Sequence, residues 1–217
     1  MSQRKRLREL PVLQGPLPRF DTDTAPAEPV ALFEQWLAEA IAAGVPEPHA
    51  MTVSTVDEEG HPAARVLILK DVSAEGWAFA SSRESAKGSD LAQTPWAALT
   101  FYWPLQGRQV RVRGPVITGS AEQNAADFLA RHPAARAAVF SGRQSQPLPS
   151  RQVLEDALAE AQRHVAEEPG RVAPVWTVYT VQADRVEFWQ GHPHRMHTRL
   201  RYRQRAEGPW ERELLWP

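Results

Sequence analysis

Short runs of β-forming residues, separated by turn sequences that contain glycine, fill the middle of the chain and limit the folds it can adopt. Residues 51–56 and 64–69 flank an acidic stretch that ends in Gly60, which is typical of a hairpin turn. Further β-rich runs lie at residues 77–81, 96–103, 109–117, 175–181, 186–189, 199–205 and 210–214. Most successive runs are separated by short connections, and short connections join antiparallel neighbours. The sequence therefore predicts a mainly β, α+β fold built on an antiparallel barrel.

Amphipathic helical patterns interrupt these strands. Apolar residues at three- and four-residue spacings predict a helix that begins at Pro29 and ends before Gly44. A capping-box sequence predicts the start of another helix at Ser120. Two more helices are expected over residues 85–93 and 151–165. Repeated prolines and a basic cluster predict a flexible N-terminal arm over residues 1–28, and residues 29–217 are expected to form a single domain.

The composition excludes several classes of function. The 25 Lys and Arg residues are balanced by 26 Asp and Glu residues, so a general nucleic-acid binder is not expected. The absence of cysteine excludes disulfides, thiolate metal sites and a cysteine nucleophile. No segment has the apolar length needed to cross a bilayer, and no apolar signal core follows the basic N-terminus. We expect a soluble cytoplasmic protein without a nucleic-acid or membrane partner.

The common catalytic and nucleotide motifs are missing as well. The sequence contains no glycine-rich dinucleotide fingerprint, no Walker loop and no serine nucleophile elbow. His192, His194 and His197 suggest a metal cluster, but no nearby carboxylate completes it and Pro193 restricts its geometry. We therefore expect no metal site.

The segment over residues 186–199 combines an apolar run with cationic side chains. The run breaks at Gly191, and Arg195, His197 and Arg199 follow at alternate positions. If this segment is extended, the period of two places all three side chains on one face. Such a row suits an anionic ligand, because guanidinium groups donate paired hydrogen bonds and histidine exchanges a proton near neutral pH. The alternative is a solvated edge strand.

Other cations and amides lie on the predicted β elements, and each alone is more often a surface residue than a ligand contact. Together they are able to hold a phosphate and the polar edge of a heterocycle. They are Arg65, Lys70, Lys87, Gln109, Arg131, Gln144, Ser145, Arg195 and Arg199.

Several of these segments are similar to the pyridoxamine 5′-phosphate oxidase family of FMN flavoproteins. The resemblance runs from about Pro29 to the C-terminus and is most specific in the Glu-Phe-Trp-Gln-Gly sequence at residues 187–191 and the sequence at residues 195–199. The other similar segments are residues 65–70, 85–87, 108–110 and 143–145.

This resemblance implies a split β-barrel that binds FMN and works as a homodimer with FMN at the subunit interface. The positions that match FMN contacts are Arg65, Val66, Leu67, Ile68, Leu69, Lys70, Ala80, Ser81, Lys87, Gln109, Gln144, Ser145, Trp189 and Arg199. The positions that match substrate contacts are Lys70, Asp127, Arg131, Arg195 and His197. Of these, Arg195 and His197 match catalytic positions above the flavin.

The chain departs from the family pattern at the substrate phosphate. Family members hold this phosphate with Lys, Tyr, Arg and Ser, and the matching residues here are Lys70, Asp127, Arg131 and Ala135. Asp127 places an anion where a phosphate would lie, and Ala135 removes a donor. Residues 85–88, 94–97, 102–103 and 141–145 also resemble the branch of the family that serves phenazine biosynthesis.

The leading hypothesis is an FMN-dependent oxidase that dehydrogenates a reduced anionic aromatic heterocycle, such as a dihydrophenazine carboxylate, in secondary metabolism with dioxygen as acceptor. In it Arg195 holds a carboxylate, and His197 orients the substrate or handles a proton. One alternative is a pyridoxamine/pyridoxine 5′-phosphate oxidase that makes pyridoxal 5′-phosphate. Another is an FMN-binding protein without oxidase turnover.

Overall fold

A computed structural model describes residues 2–206 and 208–217, and in these residues it contains six α-helices and ten β-strands. The strands are β1 (Ala50–Val56), β2 (Pro62–Ile68), β3 (Asp71–Ser73), β4 (Gly76–Ser82), β5 (Trp96–Trp103), β6 (Arg108–Thr118), β7 (Trp176–Val181), β8 (Arg185–Gln190), β9 (Thr198–Arg203) and β10 (Glu211–Leu214). The helices are α1 (Gln3–Glu9), α2 (Pro29–Ala42), α3 (Ala86–Gln93), α4 (Ala121–Ala130), α5 (Pro133–Phe140) and α6 (Arg151–Glu167). None of the described helices combines the length and the apolar character needed to cross a membrane.

The chain divides into two compact units. The first contains residues up to 52, residues 98–113 and residues from 183 onward, and the second contains residues 53–97 and 114–182. Strands β1, β5 and β6 each contribute residues to both units. The expectation of a single domain over residues 29–217 stays a prediction.

The first unit contains the antiparallel strands β10, β9, β8 and the first half of β6, in that order. Helix α2 begins with Pro29 at its first turn and buries an apolar stripe that includes Phe33 and Trp36. Phe33 packs against Phe101 at 4.8 Å between ring centroids, and Trp36 packs edge-on against Phe188 at 5.2 Å. Buried aromatic pairs of this kind stabilise the unit through the apolar area they bury and through their edge-on contacts.

The N-terminal segment belongs to the first unit, and several of its residues contact helix α2 and the sheet of that unit. Helix α1 is fully exposed and is capped by Ser2, but Phe20 packs edge-on against Trp36 at 4.9 Å. The carbonyl oxygens of Ala25 and Pro26 accept hydrogen bonds from Arg212 and Tyr202, at 2.6 and 2.7 Å. The C-terminal half of the predicted arm is therefore anchored to the sheet.

The second unit pairs β3, β4 and β7 in antiparallel order, and β7 also pairs with the end of β6. Helix α3 follows β4 directly, whereas α4, α5 and α6 are consecutive. Phe128 of α4 is fully buried and packs against Trp176 and Phe140. The predicted capping box at Ser120 is confirmed, because Ser120 and Gln123 each bond the backbone amide of the other.

The structure differs from the sequence prediction at two places that concern the site. Helix α5 is not among the helices expected from the sequence. Pro133 is unfavourable inside a helix, but here it occupies the first turn of α5, where its missing N–H costs nothing. Residues 191–197 are not extended, and Arg195 has a φ of 61°. The expected row of Arg195, His197 and Arg199 on one strand face is therefore wrong, since β9 begins only at Thr198.

Gly88 provides a test of the packing between α3 and the end of β4. A Cβ atom at this position would lie 2.3 Å from the carbonyl oxygen of Arg83. We expect Gly88→Ala to lower the free energy of unfolding by about 1–3 kcal/mol, because an extra methyl group in a packed site forces its neighbours to move. Urea denaturation measures this change. Gly170→Ala is the control, because nothing lies within 4 Å of its Cβ position. Equal stability of the two variants would contradict this packing.

Candidate active site

A set of polar side chains around Lys87 in the second unit forms what is here termed the Lys87 group. Its members are Thr55, Arg65, Ser81, Ser85, Lys87 and Asp90. Lys87 lies in the first turn of α3 and is only 6% exposed, and its ammonium group donates to the hydroxyls of Ser81 and Ser85, each at 3.0 Å. The Ser85 side chain caps α3 by accepting from the Gly88 amide. A lysine beside a helix N-terminus favours an anion such as phosphate.

Arg65 of β2 provides the second cation of the Lys87 group. Its Nη1 donates to the Thr55 hydroxyl at 2.6 Å, and its Nη2 lies 3.8 Å from the Asp90 carboxylate. The Thr55 hydroxyl in turn donates to Asp90 at 2.5 Å. Burial lowers the pKa of Lys87, the positive charge of Arg65 lowers it further, and Asp90 partly offsets both effects. Two cations and one carboxylate leave a net positive group that fits the phosphate of a cofactor.

The remaining cofactor positions of the second unit are more dispersed. Val66 and Ile68 are exposed on β2, Leu67 is half-buried and Leu69 is buried. Ala80 of β4 packs against the buried cluster around Phe128. Gln144 and Ser145 lie in an exposed loop, where Ser145 has a φ of 72°. Within the described residues, neither side chain has a hydrogen bond to the Lys87 group.

The predicted substrate residues of the second unit, Lys70, Asp127 and Arg131, form the Asp127 group together with Trp176, which the sequence analysis does not place in the site. One carboxylate oxygen of Asp127 lies 3.3 Å from the Lys70 ammonium, and the other accepts from the indole N–H of Trp176 at 2.7 Å. The Arg131 guanidinium stacks on Trp176, 3.8 Å from the ring centroid. Burial lowers the pKa of Arg131, and Asp127 opposes this effect.

The Asp127 group borders a cavity of about 470 Å³ within the second unit, lined by Lys70, Asp127, Ala78 and Val178 among others. In the part of the chain that the structure describes, Nη1 of Arg131 is buried without a hydrogen-bond partner. The Asp127 carboxylate itself is paired with Lys70 and accepts a hydrogen bond from Trp176. It therefore does not present an unpaired anion to the cavity.

In the first unit, Gln109, Trp189 and Arg199 form the Trp189 row. They lie on three neighbouring strands, because Gln109 is directly opposite Trp189 and Trp189 is directly opposite Arg199. Directly opposite residues of antiparallel strands project from the same face. The buried Glu187 accepts from Nε of Arg199 at 2.9 Å and also pairs with Arg111. Burial alone would raise the pKa of Glu187, but the hydrogen bonds from the two arginines outweigh it, and its pKa is lowered.

The two predicted catalytic residues lie in the loop that follows the Trp189 row. The His197 ring lies 4.9 Å from the Trp189 ring, and its Nδ1 accepts from the backbone N–H of His192 at 3.0 Å. The neutral ring that fits this bond carries its proton on Nε2. Burial, the charge of Arg195 and the proximity of His192 all lower the pKa of His197. At neutral pH His197 is therefore an uncharged donor.

The structure brings some of the predicted residues into three local groups and leaves Val66, Leu67, Ile68, Leu69, Ala80, Gln144 and Ser145 outside them. It also adds side chains that the sequence analysis does not place in the site. These are Thr55, Ser85, Asp90, Trp176 and Glu187. Ser85 and Glu187 occur inside the segments that carried the resemblance, whereas Asp90 is three residues after Lys87 on the same helix. Thr55 and Trp176 have no local sequence signal, because their hydrogen-bond partners are remote in the chain. In the β1–β2 turn, ligand atoms of the half-buried Asp57 and the exposed Glu59 and His61 lie within 4.8 Å of one another, and exposed acidic groups of this kind are common without a metal ion.

Comparison with known protein families gives two matches that cover most of the chain. Residues 37–165 match the family described as pyridoxamine 5′-phosphate oxidase, and residues 176–217 match the pyridoxine 5′-phosphate oxidase C-terminal dimerisation region. The pyridoxine/pyridoxamine 5′-phosphate oxidase of Bordetella petrii is 44% identical over 195 residues, which cover 90% of this chain and 92% of the relative. The protein of the same name from Cupriavidus necator is 41% identical over 197 residues, which cover 91% and 92%.

Two solved structures are similar to the described fold. PhzG from Burkholderia lata 383, in complex with tetrahydrophenazine-1-carboxylic acid, has a TM-score of 0.86 and 28% identity over 94% of this chain and 100% of that chain. A pyridoxamine 5′-phosphate oxidase-related, FMN-binding protein from Nostoc punctiforme has a TM-score of 0.70 and 20% identity over 85% and 97%. The predicted α+β, antiparallel split-barrel fold class is confirmed.

The pKa of His197 can be tested by NMR titration of the imidazole resonances. We expect its midpoint below the ordinary value of about 6.5, so that the ring is neutral at pH 7. Arg195→Met should raise this midpoint, because it removes a positive charge that disfavours the imidazolium form. Arg205→Met is the control, since Arg205 pairs with Glu211. An unchanged midpoint in Arg195→Met would show that Arg195 does not influence the ring.

Proposed function

Because the chain belongs to the pyridoxamine 5′-phosphate oxidase family and is an FMN-dependent oxidoreductase, we propose that it oxidises pyridoxine and pyridoxamine 5′-phosphates to pyridoxal 5′-phosphate. The observation that carries this proposal is the 44% identity, over nine tenths of the chain, to a relative named for this reaction. Sequence reasoning had placed this reaction second, behind oxidation of a dihydrophenazine carboxylate. The relatives support the opposite order.

The cofactor assignment follows from the charge and geometry of the local groups. The Lys87 group holds the FMN phosphate, since it combines two cations with a helix N-terminus. The Trp189 row and Gln144 contact the flavin. The dimerisation region at residues 176–217 supports a homodimer. We place FMN at the subunit interface of this dimer. When bound, FMN would supply the hydride acceptor, and dioxygen would reoxidise it.

The substrate assignment uses Lys70, Arg131, Arg195 and His197. Lys70 and Arg131 hold the substrate phosphate, with Arg131 kept in place by its stacking on Trp176. Arg195 lies in the His197 loop and attracts the electron-rich side of the substrate. His197 donates a hydrogen bond from Nε2 and orients the substrate, because its Nδ1 is already occupied by the His192 amide.

Oxidation of a dihydrophenazine carboxylate is the second candidate, and a specific observation favours it. Asp127 pairs with Lys70, and Ala135 offers no hydroxyl, so the Asp127 group offers a dianionic phosphate less positive charge and fewer donors than the family pattern of Lys, Tyr, Arg and Ser does. A carboxylate needs only one compensating charge. The similarity in fold to PhzG, whose structure contains tetrahydrophenazine-1-carboxylic acid, supports the same candidate.

Anaerobic stopped-flow reduction of the FMN-loaded protein separates these functions. We expect pyridoxamine or pyridoxine 5′-phosphate to bleach the flavin absorbance faster than a dihydrophenazine carboxylate at equal concentration. Faster bleaching by the dihydrophenazine would reverse the order of the two candidates. Lack of bleaching by either class would instead indicate an FMN-binding protein without oxidase turnover.

Asp127→Asn tests how this residue influences the choice of substrate. The substitution removes the charge that neutralises Lys70 but keeps an oxygen that accepts from Trp176. We expect the Kd for a phosphorylated substrate to fall about three- to tenfold, since a half-exposed ion pair is worth about 1 kcal/mol. The Kd for unphosphorylated pyridoxamine, the matched control, should change less. Equal changes for both ligands would show that Asp127 does not discriminate against phosphate.

A further inference from the structure

A buried hydroxyl and carboxylate lie behind one of the two cations of the Lys87 group. Thr55 is 1% exposed and Asp90 is 8% exposed, and neither matched a position of the family resemblance. They connect β1 to α3 through a short hydrogen-bond chain that ends on Arg65 of β2. We propose that Thr55, oriented by Asp90, is a positioning residue that holds the Arg65 guanidinium ready for the phosphate of FMN. This inference rests on the phosphate assignment made under the proposed function.

The direction of the hydrogen-bond chain follows from the chemistry of a hydroxyl group. A threonine hydroxyl has one proton and two acceptor lone pairs. Its proton goes to the Asp90 carboxylate, which is an acceptor only, so its lone pair is left to accept from Arg65. Threonine is also stiff about χ1 because it is branched at Cβ. The strand therefore fixes where the hydroxyl lies, and the hydroxyl fixes where Nη1 of Arg65 lies.

Thr55 also acts as a spacer between Arg65 and Asp90. Nη2 of Arg65 remains 3.8 Å from the carboxylate, which is longer than the 2.7–2.9 Å of a charge-assisted hydrogen bond. The guanidinium has five N–H donors. Nη1 uses its two donors on the Thr55 hydroxyl and, at 3.4 Å, on the carbonyl oxygen of Val53. In the part of the chain that the structure describes, the donors on Nε and Nη2 make no hydrogen bond, so they are available for an external anion.

Asp90 also reduces the electrostatic repulsion between the two cations of the Lys87 group. Arg65 and Lys87 are close enough that the charge of Arg65 lowers the pKa of Lys87, and Asp90 acts in the opposite direction. Asp90 thus reduces repulsion between two partly buried cations before an anion arrives, without blocking either of them. A long arginine side chain has much rotamer freedom, so holding it in advance lowers the entropy lost on binding.

The test compares FMN with riboflavin, which has the same ring system but no phosphate. Full-length protein is stripped of flavin, and the Kd of each ligand is measured by flavin fluorescence for wild type, Thr55→Val and Thr55→Ser. We expect Thr55→Val to raise the Kd for FMN about tenfold, the usual scale for one lost hydrogen bond to a charged group. Its Kd for riboflavin should stay unchanged. Thr55→Ser keeps the hydroxyl and should bind FMN as wild type does.

Three results would overturn the inference. The first is an unchanged Kd for FMN in Thr55→Val, and the second is an equal rise in the Kd values for FMN and riboflavin in that variant. The third is a Kd for FMN that rises as much in Thr55→Ser as in Thr55→Val. Near-UV circular dichroism of the tryptophans verifies that each variant is folded. If Thr55→Val does not fold, Thr55→Ala is the second hydroxyl-free variant and the same criteria apply.

Lys87→Met separates failure of this inference from failure of the phosphate assignment. If the Lys87 group holds the phosphate, the substitution should raise the Kd for FMN more than the Kd for riboflavin. When it does so and Thr55→Val has no effect, only the positioning role of Thr55 fails. When Lys87→Met affects both ligands equally, the phosphate assignment itself is wrong.

Discussion

A guanidinium or ammonium group loses hydration when a fold buries it wholly or in part, so each such cation needs an acceptor that the chain itself supplies. The three local groups described above meet this requirement in the same way. Glu187 lies behind Arg199, Asp90 lies behind Arg65 by way of Thr55, and Asp127 lies beside Lys70. Because these carboxylates come from a neighbouring strand or a packed helix, the antiparallel register and the docking of α3 and α4 determine whether the cations are correctly placed.

The three carboxylates differ in how much charge they leave for a ligand. Glu187 is shared between Arg199 and Arg111, so one anion compensates two cations. Asp90 contacts Arg65 mainly through a hydroxyl and leaves most of the guanidinium donors free. Asp127 pairs directly with Lys70. The first two arrangements preserve positive charge for an anionic ligand, whereas the third reduces it. The Lys87 group therefore offers an anion more net positive charge than the Asp127 group does.

Features with a local cause could be predicted from the sequence. The spacing of Phe33 and Trp36 indicated α2, and the Ser120 capping box indicated α4, because both signals lie within one or two helical turns. Strand β3 has only three residues, too few for a recognisable pattern. The sequence did not predict the loop before β9. A period of two has meaning only in extended backbone, and the backbone of Arg195 has a left-handed conformation. The bond from Trp176 to Asp127 spans 49 residues, so no spacing rule reveals it.

A second long-range contact of Asp127, its ion pair with Lys70, limits what a single substituted residue says about specificity. Asp127, read from the sequence, is an anion placed against a substrate phosphate, and this favoured a carboxylate substrate. In the structure its charge is already engaged by Lys70. The Lys70 side chain is 36% exposed, and ion pairs of such exposure contribute about 1 kcal/mol or less. A dianionic phosphate attracts Lys70 more strongly than a single carboxylate does, so it is able to displace Asp127 at small cost. Asp127 would therefore weaken the binding of a phosphate at Lys70 by about 1 kcal/mol or less.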